Sequence, residues 1–93
     1  MRSVFVDPLQ QWPGKKGLWC HMMSENLKEL HRFAQKIGLK RAWFQSKDIP
    51  HYDLTERKRI LALQNGAQEV SRKKIVSLIN HWRKKEKGNG NGK

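Results

Sequence analysis

Six polar residues hold most of the chemistry this chain can offer: Asp7, His21, Gln45, His51, Tyr52 and Asp53. Two histidines and two aspartates are the donor types that hold a divalent metal or exchange protons with a substrate. A water bound to such a metal is a nucleophile suited to a phosphodiester. On that reading Asp7, His21, His51 and Asp53 are the catalytic candidates of a small metal-dependent phosphoesterase or nuclease, with Gln45 and Tyr52 completing a ligand pocket. Each residue also has a plain structural use. Asp53 has the type and position of a helix N-cap, Asp7 before Pro8 starts a turn, and His21 sits in an apolar run like a core or edge-strand histidine. His51-x-Asp53 is not by itself a metal spacing.

The elements must bring these residues to one place. Val4-Phe5-Val6 predicts a short buried strand closed by Asp7-Pro8. Gln10 to Gly17 is a loop by its Pro and two Gly, and Leu18 to Met23 a second strand. Asn26 and Glu29 have capping-box spacing, and Leu27, Leu30, Phe33, Ala34 and Ile37 form the apolar stripe of a first helix. Gly38-Leu39 fits a Schellman end. Ala42-Trp43-Phe44 reads as a strand, Ser46 to Pro50 as a loop, and a second helix runs from an Asp53 cap to Asn65-Gly66. Ala67 to Val70 is a short strand. Ser71 then caps a third helix with Ile75, Val76, Leu78, Ile79 and Trp82 on one face.

Strands alternating with helices predict an α/β fold: a small, largely parallel sheet of three to four short strands with three helices. Ligands of such sheets sit beyond the carboxyl ends of the strands. Asp7, Gln45 and the His51-Tyr52-Asp53 loop fall there if the strands are parallel. One domain over residues 1–87 is expected, followed by a disordered Gly/Asn tail at 88–93 that has nothing apolar to bury.

Charge points to the partner. Twenty Lys and Arg against eight Asp and Glu give a net +12 over 93 residues. Residues 1–53 carry +4 and residues 54–93 carry +8. A balance that far from neutral attracts polyanions: DNA or RNA, an anionic membrane surface, or an acidic protein. Arg57, Lys58, Arg59, Arg72, Lys73, Lys74, Arg83, Lys84 and Lys85 can line one phosphate-contacting face. Trp12, in its Gly/Pro loop, can stack on a base or cap the core. The plain alternative is a solvated helix surface with a basic tail.

Other classes drop out. No run of about 18 apolar residues is present, so no membrane span is expected. The amino terminus is too short in apolar residues for a signal peptide. A single cysteine, Cys20, excludes an internal disulfide framework and a CxxC zinc site, and the chain reads as cytoplasmic. Cys20 beside Trp19 reads as a buried small hydrophobe. His31 reads as a boundary residue of the first helix and His81 as part of the basic face. No nucleophile elbow is visible, and Lys15-Lys16-Gly17 lacks the glycine spacing of a P-loop.

Taken in order, Val4-Phe5-Val6-Asp7, Leu18-Trp19-Cys20-His21-Met22, Glu29-Leu30-His31-x-Phe33-Ala34, Ile37-Gly38-Leu39-x-Arg41, Trp43-Phe44-Gln45, Pro50-His51-Tyr52-Asp53 and Gly66-Ala67 resemble the small bacterial and phage domains called domain of unknown function 4031. The resemblance covers residues 3 to about 80. It implies a domain often encoded by phages, hence a host cytoplasm, and supplies no activity. It includes Asp7, His21, His31, Gln45, His51, Tyr52 and Asp53, a polar set richer than packing needs. Pro8 stands where many members carry a second acid, so a site needing two adjacent carboxylates is incomplete here.

The sequence therefore predicts a basic nucleic-acid-binding accessory protein contacting phosphates through its C-terminal half. The alternatives are the metal-dependent phosphoesterase above and an adaptor or inhibitor gripping an acidic host protein. No cofactor is called for beyond a divalent metal under the first alternative.

Overall fold

The computed structural model describes residues 4–46 and 49–91, the side chains of 85–91 excepted. The apolar run Val4–Val6 is strand β1, Gln10–Gln11 is β2, and Leu18–Ser24 is β3. Helix α1 spans Leu27–Lys36, a single 3-10 turn covers Arg41–Trp43, and β4 is Tyr52–Thr55. Helix α2 is Glu56–Gln64, β5 is Gln68–Glu69 and α3 is Arg72–Asn91. The fold is α/β, with three helices on a five-stranded sheet.

The sheet is mixed rather than largely parallel. β3 pairs antiparallel with β1, β2 and β4, and only β1 with β5 is parallel. The reason is local: the Pro-Gly segment between β1 and β3 is short enough to fold back as a hairpin-like return, which forces antiparallel pairing. The long β3 then takes β2 and β1 along one edge and β4 along the other.

Alternation along the strands divides the core in two. Val4 and Val6, Cys20 and Met22, and Tyr52 and Leu54 point to one face. There they pack with Leu30, Ala34 and Ile37 of α1 and Ala62 of α2. Phe5 and Met23 point to the other face, against Ile75 and Leu78 of α3, with Ile49 and the half-buried Ile79 and Trp82. Trp82 Nε1 donates to the Ser24 carbonyl at 2.8 Å and pins α3 to the end of β3.

The ends of the helices follow the residues that cap them. The Asn26 side chain accepts from the Glu29 N–H at 3.0 Å. The Leu39 N–H bonds the Ala34 carbonyl at 2.9 Å and the Gly38 N–H bonds Gln35 at 3.1 Å, a Schellman closure with Gly38 at φ +84°. The same pattern recurs at Gly66-Ala67 after α2.

Five local expectations change. Gln10–Gln11, expected in the loop to Gly17, pair with Trp19 and Leu18 as β2. Ala42-Trp43-Phe44 is not a strand: the Trp43 and Phe44 N–H groups are satisfied by Lys40 and Arg41 in the 3-10 turn, and Trp43 is exposed. The predicted loop at His51-Tyr52-Asp53 leads into and forms part of β4, and an isolated bridge joins His51 to Gln45. Asp53 consequently caps nothing; Thr55 Oγ1 accepts from Lys58 N–H at the start of α2. Helix α3 continues to Asn91, past Gly88. Residues 92–93 of the expected tail, and 47–48 of the expected Ser46–Pro50 loop, lie outside the described residues. Among the described residues no helix is long and apolar enough to cross a membrane.

Candidate functional site

Strand register, not strand ends, assembles the polar residues. In the β1–β3 ladder Val6 faces Met22, so the next residue, Asp7, comes opposite His21. In the β3–β4 ladder His21 faces Asp53. Directly paired residues project to the same face of a sheet, so Asp7, His21 and Asp53 form one row across three strands. His51 lies two residues before Asp53 and shares its face. Gln45 is bridged to His51. This is the face that α3 covers: its residues Arg72, Ile75, Val76 and Ile79 wall a cavity of about 400 Å³ with Asp7, His21 and His51.

Each imidazole is held by one nitrogen. Asp7 is buried, and its two carboxylate oxygens accept from the His21 backbone N–H at 2.7 Å and from His21 Nδ1 at 2.8 Å. A carboxylate only accepts, so His21 Nδ1 carries the proton and Nε2 is the ring nitrogen left for a ligand. His51 Nδ1 donates to the Ile49 carbonyl at 2.7 Å, which fixes its tautomer the same way. These are the two arrangements by which proteins orient metal-ligating histidines, a carboxylate or a backbone carbonyl behind the ring. Asp7 is thus a positioning residue for His21.

Asp53 closes the set. Its Oδ2 accepts from Gln45 Nε2 at 2.6 Å and lies 3.8 Å from Lys15 Nζ. Its Oδ1 lies 3.3 Å from His51 Nε2. With the His51 proton on Nδ1, that places a nitrogen lone pair against a carboxylate oxygen, a juxtaposition that a proton or a cation must resolve. One donor atom from each of His21, His51 and Asp53 lies within 4.8 Å of the others. Donors about 2.1 Å from a shared tetrahedral ion are about 3.4 Å apart, the separation His51 and Asp53 already have. Two imidazoles and one carboxylate leave coordination positions for water or substrate.

Aromatic rings frame this row. Trp12 lies against His21, with ring centroids 4.6 Å apart, and stacks on Trp19 at 6.3 Å. It covers the His21 ring rather than standing free in its loop. Lys15 Nζ sits 4.1 Å over the Trp19 ring. A second cavity, of about 470 Å³, adjoins Asp53 and Gln45.

Other predicted residues have different places. Tyr52 points to the opposite face, is buried, and its hydroxyl bonds His31 Nδ1 at 2.9 Å. Burial raises the Tyr52 pKa, and burial followed by the Arg41 charge lowers that of His31. Burial, with Asp7 nearby, pushes the Cys20 thiol up to about 12. His81 is half-buried beside Trp82 and its Nε2 has no hydrogen-bond partner among the described residues, so it does not join the basic surface.

The basic set divides. Arg57, Arg72, Lys73, Arg83 and Lys84 are exposed, and Lys74 lies over Phe5 at 5.0 Å. Lys58 Nζ donates to the Ile37 carbonyl at 3.0 Å. Arg59 donates to the Asp7 carbonyl at 3.1 Å and pairs with Glu69 at 2.6 Å, tying α2 to β1 and β5. The Lys85 side chain lies outside the described set. Sequence reasoning missed Lys15 as a site residue, and it put Arg72 on the basic face without placing it beside the His/Asp row; the hairpin that carries Lys15 and the packing of α3 over the sheet had no signal in spacing alone.

No curated protein and no solved structure matches this chain significantly. Residues 4–82 match the family described as protein of unknown function (DUF4031), a span that takes in every strand and the whole His/Asp row, and the chain belongs to that family.

Proposed function

We propose that the His21, His51 and Asp53 row is a divalent-metal centre and that the protein hydrolyses phosphodiesters of nucleic acid there. The observation that carries this is the pair of imidazoles, each anchored through Nδ1, meeting a carboxylate whose Oδ1 stands 3.3 Å from His51 Nε2. The substrate class rests on charge: net +12 overall, with Arg72 in the wall of the adjoining cavity and Lys15 beside Asp53. Both cations suit an anionic substrate and the extra charge of a pentacoordinate phosphorus.

His21, His51 and Asp53 would hold the ion, which when bound would supply a water of lowered pKa as the nucleophile toward phosphorus. Asp7 holds His21 in the tautomer that leaves Nε2 for a ligand.

The test is cleavage of a labelled single-stranded oligonucleotide with manganese or zinc, with and without EDTA. Cleavage that EDTA stops and His51→Ala abolishes, in a variant that still melts cooperatively, is the expected result. Metal-independent cleavage, or full activity in His51→Ala, overturns it.

A second reading has its own observation. The exposed Arg57, Arg72, Lys73, Arg83 and Lys84 suit a protein that binds nucleic acid without cutting it. Steeply salt-dependent binding that Lys73→Glu with Lys84→Glu removes, with no cleavage under any metal, favours that reading.

A further inference from the structure

The cavity on the far side of Asp53 shows what a substrate must present. It holds about 470 Å³, within the range of pockets that take small ligands. Its walls are Trp19, Trp43 and Phe44, and its polar lining includes Lys15, Gln45 and Asp53. Aromatic faces beside a few hydrogen-bonding groups and a cation are the surroundings of a stacked nucleobase.

Trp43 is the telling residue. It is 49% exposed, on the 3-10 turn between α1 and β4, and belongs to neither core cluster. Its neighbour Phe44 is anchored, packing edge-on against His31 at 4.5 Å and near Tyr52 at 5.4 Å. Phe44 is therefore held in place, while Trp43 carries a half-exposed ring with Lys40 Nζ 5.6 Å from its centroid. A half-exposed tryptophan at a pocket mouth exposes apolar surface that a ligand can cover.

We propose that this cavity takes an unpaired nucleobase, so that the substrate is single-stranded nucleic acid or a frayed end rather than the interior of a duplex. The inference deepens the proposed metal-dependent reading and rests on it for the reaction, though not for binding. Asp53 connects the two: it lines the cavity and belongs to the row of residues that would hold the ion. A base inside a duplex reaches such a pocket only by leaving its stack.

The experiment measures binding in EDTA, where no metal contributes. Fluorescence anisotropy at physiological salt compares a short labelled thymidine oligomer, an abasic strand of equal length and charge, and a duplex. The expected result is about tenfold tighter binding of the intact strand than of the abasic one, with the duplex no tighter than the abasic strand. Trp43→Ala removes that margin and Trp43→Phe keeps most of it. Equal binding of intact and abasic strands by the unaltered protein overturns the proposal, as does a margin that survives Trp43→Ala. Zinc titration of the unaltered protein separates the two readings. A base-dependent margin without zinc binding upholds the pocket and overturns the metal centre; zinc binding without a margin does the reverse.

Discussion

Replacing Asp7 with Asn tests the geometry of the row at its most sensitive point. The carboxylate accepts two hydrogen bonds, from the His21 N–H at 2.7 Å and from His21 Nδ1 at 2.8 Å. An asparagine has one accepting oxygen. If that oxygen keeps the backbone N–H, the amide NH2 faces Nδ1, and His21 must move its proton to Nε2 to accept there. The ring nitrogen needed for the metal is then blocked. Losing such a support behind a ligating histidine costs 10–100-fold in metal affinity, about 1.4–2.8 kcal/mol. The same change removes one charge-assisted hydrogen bond at a buried site, about 1.5–3 kcal/mol of stability. In a domain of this size that lowers the melting temperature by roughly 4–8 °C per kcal/mol. Calorimetric titration with zinc gives the affinity and a thermal melt gives the stability. Unchanged zinc affinity in a folded Asp7→Asn protein refutes the positioning role of Asp7, whatever happens to the melt.

Three further outcomes are expected. Arg59→Ala cuts the bonds to the Asp7 carbonyl and Glu69 and lowers stability by about 1–3 kcal/mol; it leaves oligonucleotide affinity near that of the unaltered protein, whereas Arg72→Ala weakens it, both read by denaturant melts and anisotropy. His31 has its pKa held below the ordinary 6.5 by burial and Arg41; its contribution to stability is present above pH 6.5 and lost as pH falls through the lowered value. His31→Gln flattens that acid limb of a melting-temperature profile, and an identical profile contradicts the assignment. Cys20, fully buried with its thiol pushed up to about 12, resists iodoacetamide at neutral pH until the protein is unfolded, as mass spectrometry of native and denatured samples reads out.

The parts of the fold that local chemistry dictates were legible in the sequence. Asn26 and Ser71 cap where their spacing says, and Gly38 and Gly66 close helices because only their backbones adopt the required turn easily. The apolar stripe of α3 packs as its spacing says at Ile75, Leu78, Ile79 and Trp82, while Val76 stays exposed. Strand β4 was missed although its alternation is plain, with His51 and Asp53 polar and Tyr52 and Leu54 buried. Asp53 was read as the cap of α2, and the cap is Thr55, two residues on. Strand direction is a property of long-range pairing, so the expectation of a largely parallel sheet could not be corrected from spacing.

The candidate site shows the same division. The residue types were visible, and Asp7, His21, Gln45, His51 and Asp53 were grouped on the expectation that parallel strand ends bring them to one edge. What assembles them was not. They meet through the His21–Asp53 register on a sheet face under α3, not at a row of strand ends. Trp43 looked like a strand core and is instead a half-exposed cavity wall. Tyr52 looked like a pocket residue and instead braces His31 from the opposite face.

The most direct measurement of the central claim is anomalous diffraction at the zinc edge from crystals grown with zinc. The account requires one strong peak about 2.1 Å from His21 Nε2, His51 Nε2 and an Asp53 oxygen, with Asp7 still bonded to His21 Nδ1. A peak held by other residues, or no peak at this row in crystals that bind zinc elsewhere, contradicts it.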